Sequence, residues 1–461
     1  MGTLSDSTAS EIESFVAEWL SDHRIPSAAV AVVDADGPRY AEGFGARNLE
    51  RNDAATPDTL FGIGSSTKSF TAISIMQLAE RGELTVDDPV SDYLPHLDDA
   101  PGDPITIREL LTHTSGMPSD GMAGPLITRP LGLGHVEVPL SSEDDFRRHV
   151  EGSVDRRVTD RETCFYYNAG YTMLGEIVAA VTGDSYAAYV AEQILDPLGM
   201  DRSTFDRETF EADDDRMTPY VKEEESSMAA DFPFDDLIHA PGGMVSSVRE
   251  MGEYVRMYLN DGRLDGTAVL PASTIDEMTT PVGSFGSYID GREIGYGYGL
   301  MTEEFLGDRL VGHGGSIAVS NFWFGYLEEA EIGLAIACTT SPEAHPMTVG
   351  PALLSIVQGT DPAESVPHFE LTDALEAVTG EYETYRDIGA ATVERTGGTL
   401  TFTQESSIGG QELHLVPERL EDGLLVCSTV TATGMSHPVR FERDGDDVTC
   451  FFERSRFEKA S

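Results

Sequence analysis

Lysine is almost missing from this 461-residue chain: only Lys68, Lys222 and Lys459 occur. Arginine does not fill the gap, since Lys plus Arg total 30 against 81 Asp plus Glu, a formal net charge of −51. A field of that sign repels phosphate, which excludes nucleic acid and anionic membrane surfaces as general partners. Cysteine is scarce too: Cys164, Cys338, Cys427 and Cys450 are scattered without CxxC spacing. That argues against a disulfide scaffold or a zinc site and leaves buried reduced thiols. No stretch of 18 apolar residues occurs, so no membrane-spanning helix is expected. The opening MGTLSDSTASEIESFV has neither the basic start nor the apolar core of a secretory leader. The expectation is a cytoplasmic protein.

What remains is ample for folding. Apolar residues make up 40 % of the chain and 38 positions are aromatic, enough for a sizeable core at this length. The acids are spread along patterned segments, so disorder does not account for them. A chain adapted to molar KCl does, because there the Debye length falls to roughly 3 Å and self-repulsion is screened. The length implies two domains.

Hydrophobic spacing predicts an amphipathic helix over 8–22, with Ile12, Phe15, Val16, Trp19 and Leu20 on one face. Strands follow at 28–33 and 40–46 around the turn Asp36-Gly37-Pro38. A mostly apolar helix spans 65–81 and ends at Gly82, with more helices at 106–113, 169–182 and 185–196. The helix at 248–260 opens with Ser247 and Glu250 in capping-box spacing. Strands return near 295–302, 308–312, 319–327 and 331–338, before a helix at 346–358. Strands at both ends with helices between them indicate one α/β unit whose sheet is assembled from distant parts of the chain. The polar segment GTDPAESVP (359–367) reads as a linker. Beyond it, seven or eight short strands with no helical period indicate a small antiparallel barrel or sandwich over 368–461.

Three stretches have residues suited to chemistry. In Phe61-Gly-Ile-Gly-Ser65-Ser66-Thr67-Lys68-Ser69, Ser65 opens a buried helix and Lys68 stands one turn on, facing the same side. A serine hydroxyl needs a base, and a lysine serves once burial lowers its pKa. Gly62 to Ser69 also approaches a phosphate-binding loop, but Thr67 occupies the glycine that lets backbone wrap phosphate. In Cys164-Phe-Tyr166-Tyr167-Asn168, a tyrosine and an amide stand at a helix mouth. They suit proton shuttling and lysine orientation, or merely packing and an N-cap. In Val311-Gly312-His313-Gly314-Gly315-Ser316, glycines allow close backbone approach to a substrate. No second histidine stands at metal-ligand spacing, and neither metal nor cofactor is expected.

In order, these stretches resemble the serine β-lactamase and penicillin-binding-protein superfamily, most nearly its class C β-lactamase-like serine hydrolases. Ser65 and Lys68 match Ser-x-x-Lys, Tyr166 and Asn168 match Tyr-x-Asn, and His313-Gly314-Gly315 stands where Lys-Thr-Gly is found. The phrases ITIRELLTHTSGMP, ILDPLGMDRSTF, APGGMVSSVREMGEYVRMYLNDG and YGYGL are similar as well. The resemblance implies an antiparallel sheet flanked by helices, with a helical subdomain, over 1–358, followed by a barrel similar to the lipocalin-like appendage of some archaeal serine peptidases. It implies nucleophilic Ser65, with Lys68 and Tyr166 handling protons and Asn168 orienting lysine and substrate. The backbone amides of Ser65 and Ser316 would form the oxyanion hole. The implied substrates are small esters or peptide-like amides, including D-residue peptides, and the implied partner is at most another copy of the chain. A true β-lactamase, a catalytically inert binding module and a nucleotide binder remain as alternatives.

The charge imbalance has a direct consequence. In a KCl series from dilute to molar, the thermal midpoint should rise steeply; a flat response would mean that the acids are compensated locally.

Overall fold

The computed structural model describes residues 3–98, 102–118, 121–133, 138–158, 164–222, 227–342, 344–405, 410–421, 423–445 and 447–460. Two compact units result, one of Met1–Gly286 with Ile294–Gly359 and one of Ser287–Glu293 with Thr360–Ser461.

The first unit is built on a nine-stranded sheet. Its third strand from one end, Ser27–Asp34, is buried on nearly every residue, which explains its unbroken run of small and branched apolar side chains. It pairs antiparallel with Gly37–Asn48 on one side and with Ile332–Thr339 on the other, Ala28 lying opposite Cys338. The sheet then continues outward through Ser320–Leu327, Asp308–Ser316, Met301–Phe305, Glu293–Tyr296 and Gly283–Ser287. The N-terminal helix Asp6–His23 is capped by Ser5, whose hydroxyl accepts the Thr8 amide, and it buries Ile12, Val16 and Trp19. The Trp19 indole donates to the Ala344 carbonyl at 2.9 Å, tying the first helix to the approach of the helix Pro346–Gln358.

Local differences from the sequence reading have physical causes. The run 295–302 is two strands, because Gly297 donates to the Leu300 carbonyl and Gly299 turns the chain at φ +68°. The helix Val248–Leu259 is capped by Ser247, but the Glu250 carboxylate does not return the bond. It reaches the Arg202 amide at 2.8 Å and the Ser203 hydroxyl at 2.6 Å. A reciprocal capping box does occur at Thr106 and Glu109, starting the short helix Ile107–Leu111. Such a cap contributes about 1 kcal/mol. It fixes the start of a short helix that leads into His113.

In the second unit the polar segment after Gly359 is helical. Asp361 caps Pro362–Ser365, and Pro367–Val378 follows, each helix beginning on a proline whose fixed φ suits the first turn. Strands start only at Gly380 and close into an eight-stranded barrel ending with Ser455–Lys459. The interior is filled by side chains including Val393, Leu400, Phe402, Leu415, Phe441 and Phe457, with Leu375 and Val378 of the helix added. This is the packing expected of a small barrel rather than that of a ligand-holding one. Ile289, from the short segment assigned to this unit, packs on the same cluster.

Candidate active site

Gly64–Ser66 makes one 3-10 turn that passes into the helix Thr67–Glu80, and that helix is buried from Thr67 to Leu78. The hydroxyl residues that open it add side-chain bonds to carbonyls of the same turn. Thr67 Oγ1 donates to the Gly64 carbonyl at 2.7 Å, and Ser69 Oγ to that of Ser66 at 2.8 Å. Ser66 Oγ reaches across to the His313 carbonyl at 3.0 Å, joining the turn to the strand Asp308–Ser316.

Lys68 is fully buried, while Ser65 is only partly so. The lysine Nζ lies 3.1 Å from Ser65 Oγ, 2.8 Å from Asn168 Oδ1 and 2.6 Å from the Pro241 carbonyl oxygen. It also sits over the rings of Tyr166 and Tyr171, 4.7 and 5.3 Å from their centroids. Burial pulls its pKa well below the ordinary lysine range. Asn168 is the first residue of the helix Asn168–Thr182 and does not cap it; Tyr167 takes the cap position without a side-chain capping bond, and the Asn168 amide is directed at Lys68. Tyr166 hydrogen-bonds Ser65, and burial pushes its pKa above the ordinary phenol value. Its resting form is therefore the phenol.

The strand Asp308–Ser316 forms the facing wall. A Cβ on Gly315 would fall 1.9 Å from the Ile63 carbonyl oxygen and 2.6 Å from the Ser65 nitrogen, and one on Gly64 would fall 2.5 Å from the Ser316 nitrogen. Only glycine at both positions lets the two backbones touch, and the contact places the Ser65 and Ser316 amides beside each other. Ladder pairing with Met301–Phe305 ends at Gly312, whereas pairing with Ser320–Leu327 continues to Ser316. His313 is buried; loss of solvent, and to a lesser degree the nearby Lys68, hold its pKa down to about 3. Its Nε2 meets the Tyr296 hydroxyl at 3.1 Å. Gly314 faces the half-exposed Met347 side chain, whose Cγ would lie 2.1 Å from an added Cβ.

The structure thus brings Ser65, Lys68, Tyr166 and Asn168 into one cluster, with His313, Gly314, Gly315 and Ser316 on the strand opposite. Three members escaped residue-by-residue reading. Pro241 acts through its carbonyl, to which side-chain identity gives no clue. Tyr171 and Tyr296 carry no motif of their own, although both lie in or beside quoted phrases, one helical turn past Asn168 and at the start of YGYGL. Among the described residues no group of three His, Cys, Asp or Glu side chains is placed to hold a metal ion.

Comparison with known proteins decides the lineage. The family model described as Beta-lactamase matches residues 10–357. The chain belongs to the β-lactamase family. Members of this family are generally serine hydrolases. A second model, the Pab87 octamerisation domain, matches residues 362–458. Among solved structures, the octameric penicillin-binding protein homologue from Pyrococcus abyssi is 32 % identical. The match covers 98 % of this chain and 100 % of that one, with a TM-score of 0.84. A D-stereospecific amidohydrolase from Streptomyces sp. is 26 % identical over 72 % of this chain and 95 % of its own, with a TM-score of 0.57. Protein flp of Staphylococcus aureus (strain MW2) is 27 % identical over 261 residues, 56 % of this chain. The chain spans about half the length, 50 %, of that curated relative.

The lysine environment sets the pH response of the β-lactamase-family site. Labelling of Ser65 by a fluorophosphonate should rise with pH through a single deprotonation, well below the ordinary lysine value of about 10.4, and then stay level. Below that pH the amine is protonated and has no lone pair to offer. Lys68→Arg should abolish the limb together with the labelling, since guanidinium stays charged. A limb near the ordinary lysine value would contradict the effect of burial.

Proposed function

We propose that this protein is a serine hydrolase that acylates Ser65 and cleaves small esters or peptide-like amides, D-residue peptides among them. The observation that carries the reading is the set of partners around Lys68 Nζ. Asn168 Oδ1 and the Pro241 carbonyl only accept hydrogen bonds. A neutral amine has two N–H groups, and these two acceptors take both. The remaining lone pair faces Ser65 Oγ at 3.1 Å, within proton-transfer reach. Lys68 is therefore the base in this reading.

Ser65 gives its proton to Lys68 as it attacks the carbonyl carbon. The developing oxyanion is received by the amides of Ser65 and Ser316. Tyr166, a phenol at rest and bonded to Ser65, passes a proton to the departing alcohol or amine and is reprotonated from the Lys68 ammonium. Water then attacks the acyl-enzyme carbonyl, its proton going to Lys68, which returns it to Ser65 Oγ as the acyl bond breaks. No cofactor enters.

A true β-lactamase is the less favoured reading. His313 is neutral where penicillin-recognising relatives have a lysine, Gly314 offers no hydroxyl, and Met347 fills the space that hydroxyl would need. Losing a charge-assisted hydrogen bond to the antibiotic carboxylate costs about 1.5–3 kcal/mol, roughly one to two decades in rate. The amidohydrolase resemblance supports D-configured amides. The test is kcat/KM in one molar KCl buffer for a chromogenic cephalosporin, a nitrophenyl ester and D- and L-amino-acid amides, with Ser65→Ala as control. Ester or D-amide turnover should lead and vanish in the control. Leading cephalosporin turnover would restore a β-lactamase, and an unlabelled, inactive wild type would leave a binding module.

We also propose that the barrel joins copies of this chain, as the octamerisation-domain match suggests. Alternating strand direction puts the loops after Gly380–Glu383 and after Leu424–Val430 at the end away from the helix Pro367–Val378. That rim exposes Tyr385, Ile388, Val430 and Met435, each between 56 % and 81 % accessible. Exposed large apolar side chains grouped on so acidic a surface mark an interface. Light scattering in molar KCl should show an oligomer for the wild type. Ile388→Asp with Val430→Asp should give a smaller species with an unchanged circular dichroism spectrum; an unaltered assembly would place the interface elsewhere.

A further inference from the structure

His113 belongs to none of the three catalytic stretches, yet it touches the groups that position two of them. It follows the helix Ile107–Leu111 and has φ +59°, a left-handed conformation that residues with a β-carbon rarely adopt. Its carbonyl accepts the Phe165 amide at 2.9 Å, and its Nδ1 accepts the Tyr167 amide at 3.1 Å. Those two amides flank Tyr166, whose ring centroid lies 4.3 Å from that of the imidazole.

Accepting at Nδ1 leaves the proton on Nε2. That nitrogen is 3.2 Å from the Tyr296 hydroxyl, which is 3.1 Å from His313 Nε2. His313 Nδ1 is 2.6 Å from the Gly314 carbonyl oxygen, which only accepts, so the His313 proton is on Nδ1 and its Nε2 accepts from Tyr296. Every donor points the same way: from the Tyr167 amide to His113, to Tyr296, to His313, to the Gly314 carbonyl. The groups facing His113 are the rings of Tyr166, Tyr171 and Tyr296, with Lys68 and His313 acting through space. Burial above all keeps it neutral, as its accepting Nδ1 requires.

We propose that His113 is a positioning residue for acyl transfer, clamping Tyr166 through both flanking amides and, through Tyr296, setting His313 in one tautomer on the facing strand. One side chain thereby fixes both walls of the cleft without touching the reacting atoms. The left-handed backbone is the geometric condition: it lets the carbonyl and the ring of the same residue reach amides two positions apart. The proposal rests on the reading of Ser65 as the acylated nucleophile.

The experiment measures fluorophosphonate labelling of Ser65 and steady-state ester hydrolysis with the full-length protein in molar KCl, for wild type, His113→Ala, His113→Asn and Tyr296→Phe. Asparagine tolerates the left-handed conformation and its amide oxygen replaces Nδ1, but it does not reach Tyr296. His113→Ala should lower labelling and kcat at least tenfold while KM stays within about twofold. His113→Asn should recover most of that rate. Tyr296→Phe spares the Tyr166 clamp but removes the donor to His313 Nε2. It should therefore add an ionisation to the kcat/KM profile, nearer the ordinary histidine value of about 6.5. If His113→Ala does not fold, the other two variants still decide. Wild-type rates in folded His113→Ala would overturn the proposal. So would an asparagine variant with restored melting but unrestored rate, or a Tyr296→Phe profile superimposable on wild type. An unlabelled wild type sinks the Ser65 reading as well, whereas a labelled wild type matched by His113→Ala sinks this inference alone.

Discussion

A buried amine held by carbonyls rather than carboxylates is the interaction on which the first unit's architecture depends. Lys68 lies inside a fully buried helix, and its Nζ meets chain segments 100 and 173 residues away. An ammonium ion in that setting would need an anion beside it, since taking a lone charge out of water costs several kcal/mol. This acid-rich chain sets Asn168, Pro241 and two tyrosine rings there instead. The arrangement favours the neutral amine, and a neutral amine has a direction: two hydrogens committed, one lone pair free. The helix Asn168–Thr182 and the turn around Pro241 are the parts that impose that direction. Displacing either would leave the amine free to turn away from Ser65.

The second constraint is steric. The serine turn and the Gly314 strand approach until no β-carbon fits between them at Gly64 or Gly315, so the amides of Ser65 and Ser316, 251 residues apart in the chain, meet without any side chain intervening. The Ser66 hydroxyl bond to the His313 carbonyl locks the same contact from beneath. Because His313 is neutral, Lys68 has no second cation on that wall to depress its pKa further or to compete for an anionic intermediate.

Much of this was legible in the sequence where local physics decides. The helix over 8–22 is visible because Ile12, Val16 and Trp19 repeat on one face, and the structure buries those three. The first hairpin is visible because Asp36-Gly37-Pro38 favours a turn, although the chain turns at 35–36 and Gly37 and Pro38 already pair in the second strand. Ser-x-x-Lys places two side chains one helical turn apart whatever surrounds them. Long-range contacts were not legible. A backbone acceptor such as the Pro241 carbonyl leaves no trace in residue identity, and the redirection of Glu250 from Ser247 to Arg202 and Ser203 depends on a loop that only folding brings near. The helix Pro367–Val378 was hidden for another reason: its apolar face is short, and Leu375 and Val378 are buried only because a barrel stands against them. The last strand, Ser455–Lys459, is set off from Asp447–Phe452 by a turn at Glu453, with φ +50°.

The surface charge and the buried site are coupled through the same lysine. A net charge of −51 produces a negative potential that stabilises protonated over deprotonated forms throughout the molecule, Lys68 included. Burial acts in the opposite sense and is local, arising from the atoms packed around Nζ. Salt divides the two effects. At molar ionic strength the Debye length of about 3 Å confines each surface carboxylate's field to its own neighbourhood, while the interior, which ions do not enter, keeps its desolvation term. The amine then responds to Asn168, Pro241 and the tyrosine rings and hardly at all to the distant acids. In dilute buffer the long-range field returns and moves the lysine toward the ammonium form, even in molecules that are still folded. Salt is therefore expected to act on this protein twice, through self-repulsion of the fold and through the protonation of its buried Lys68.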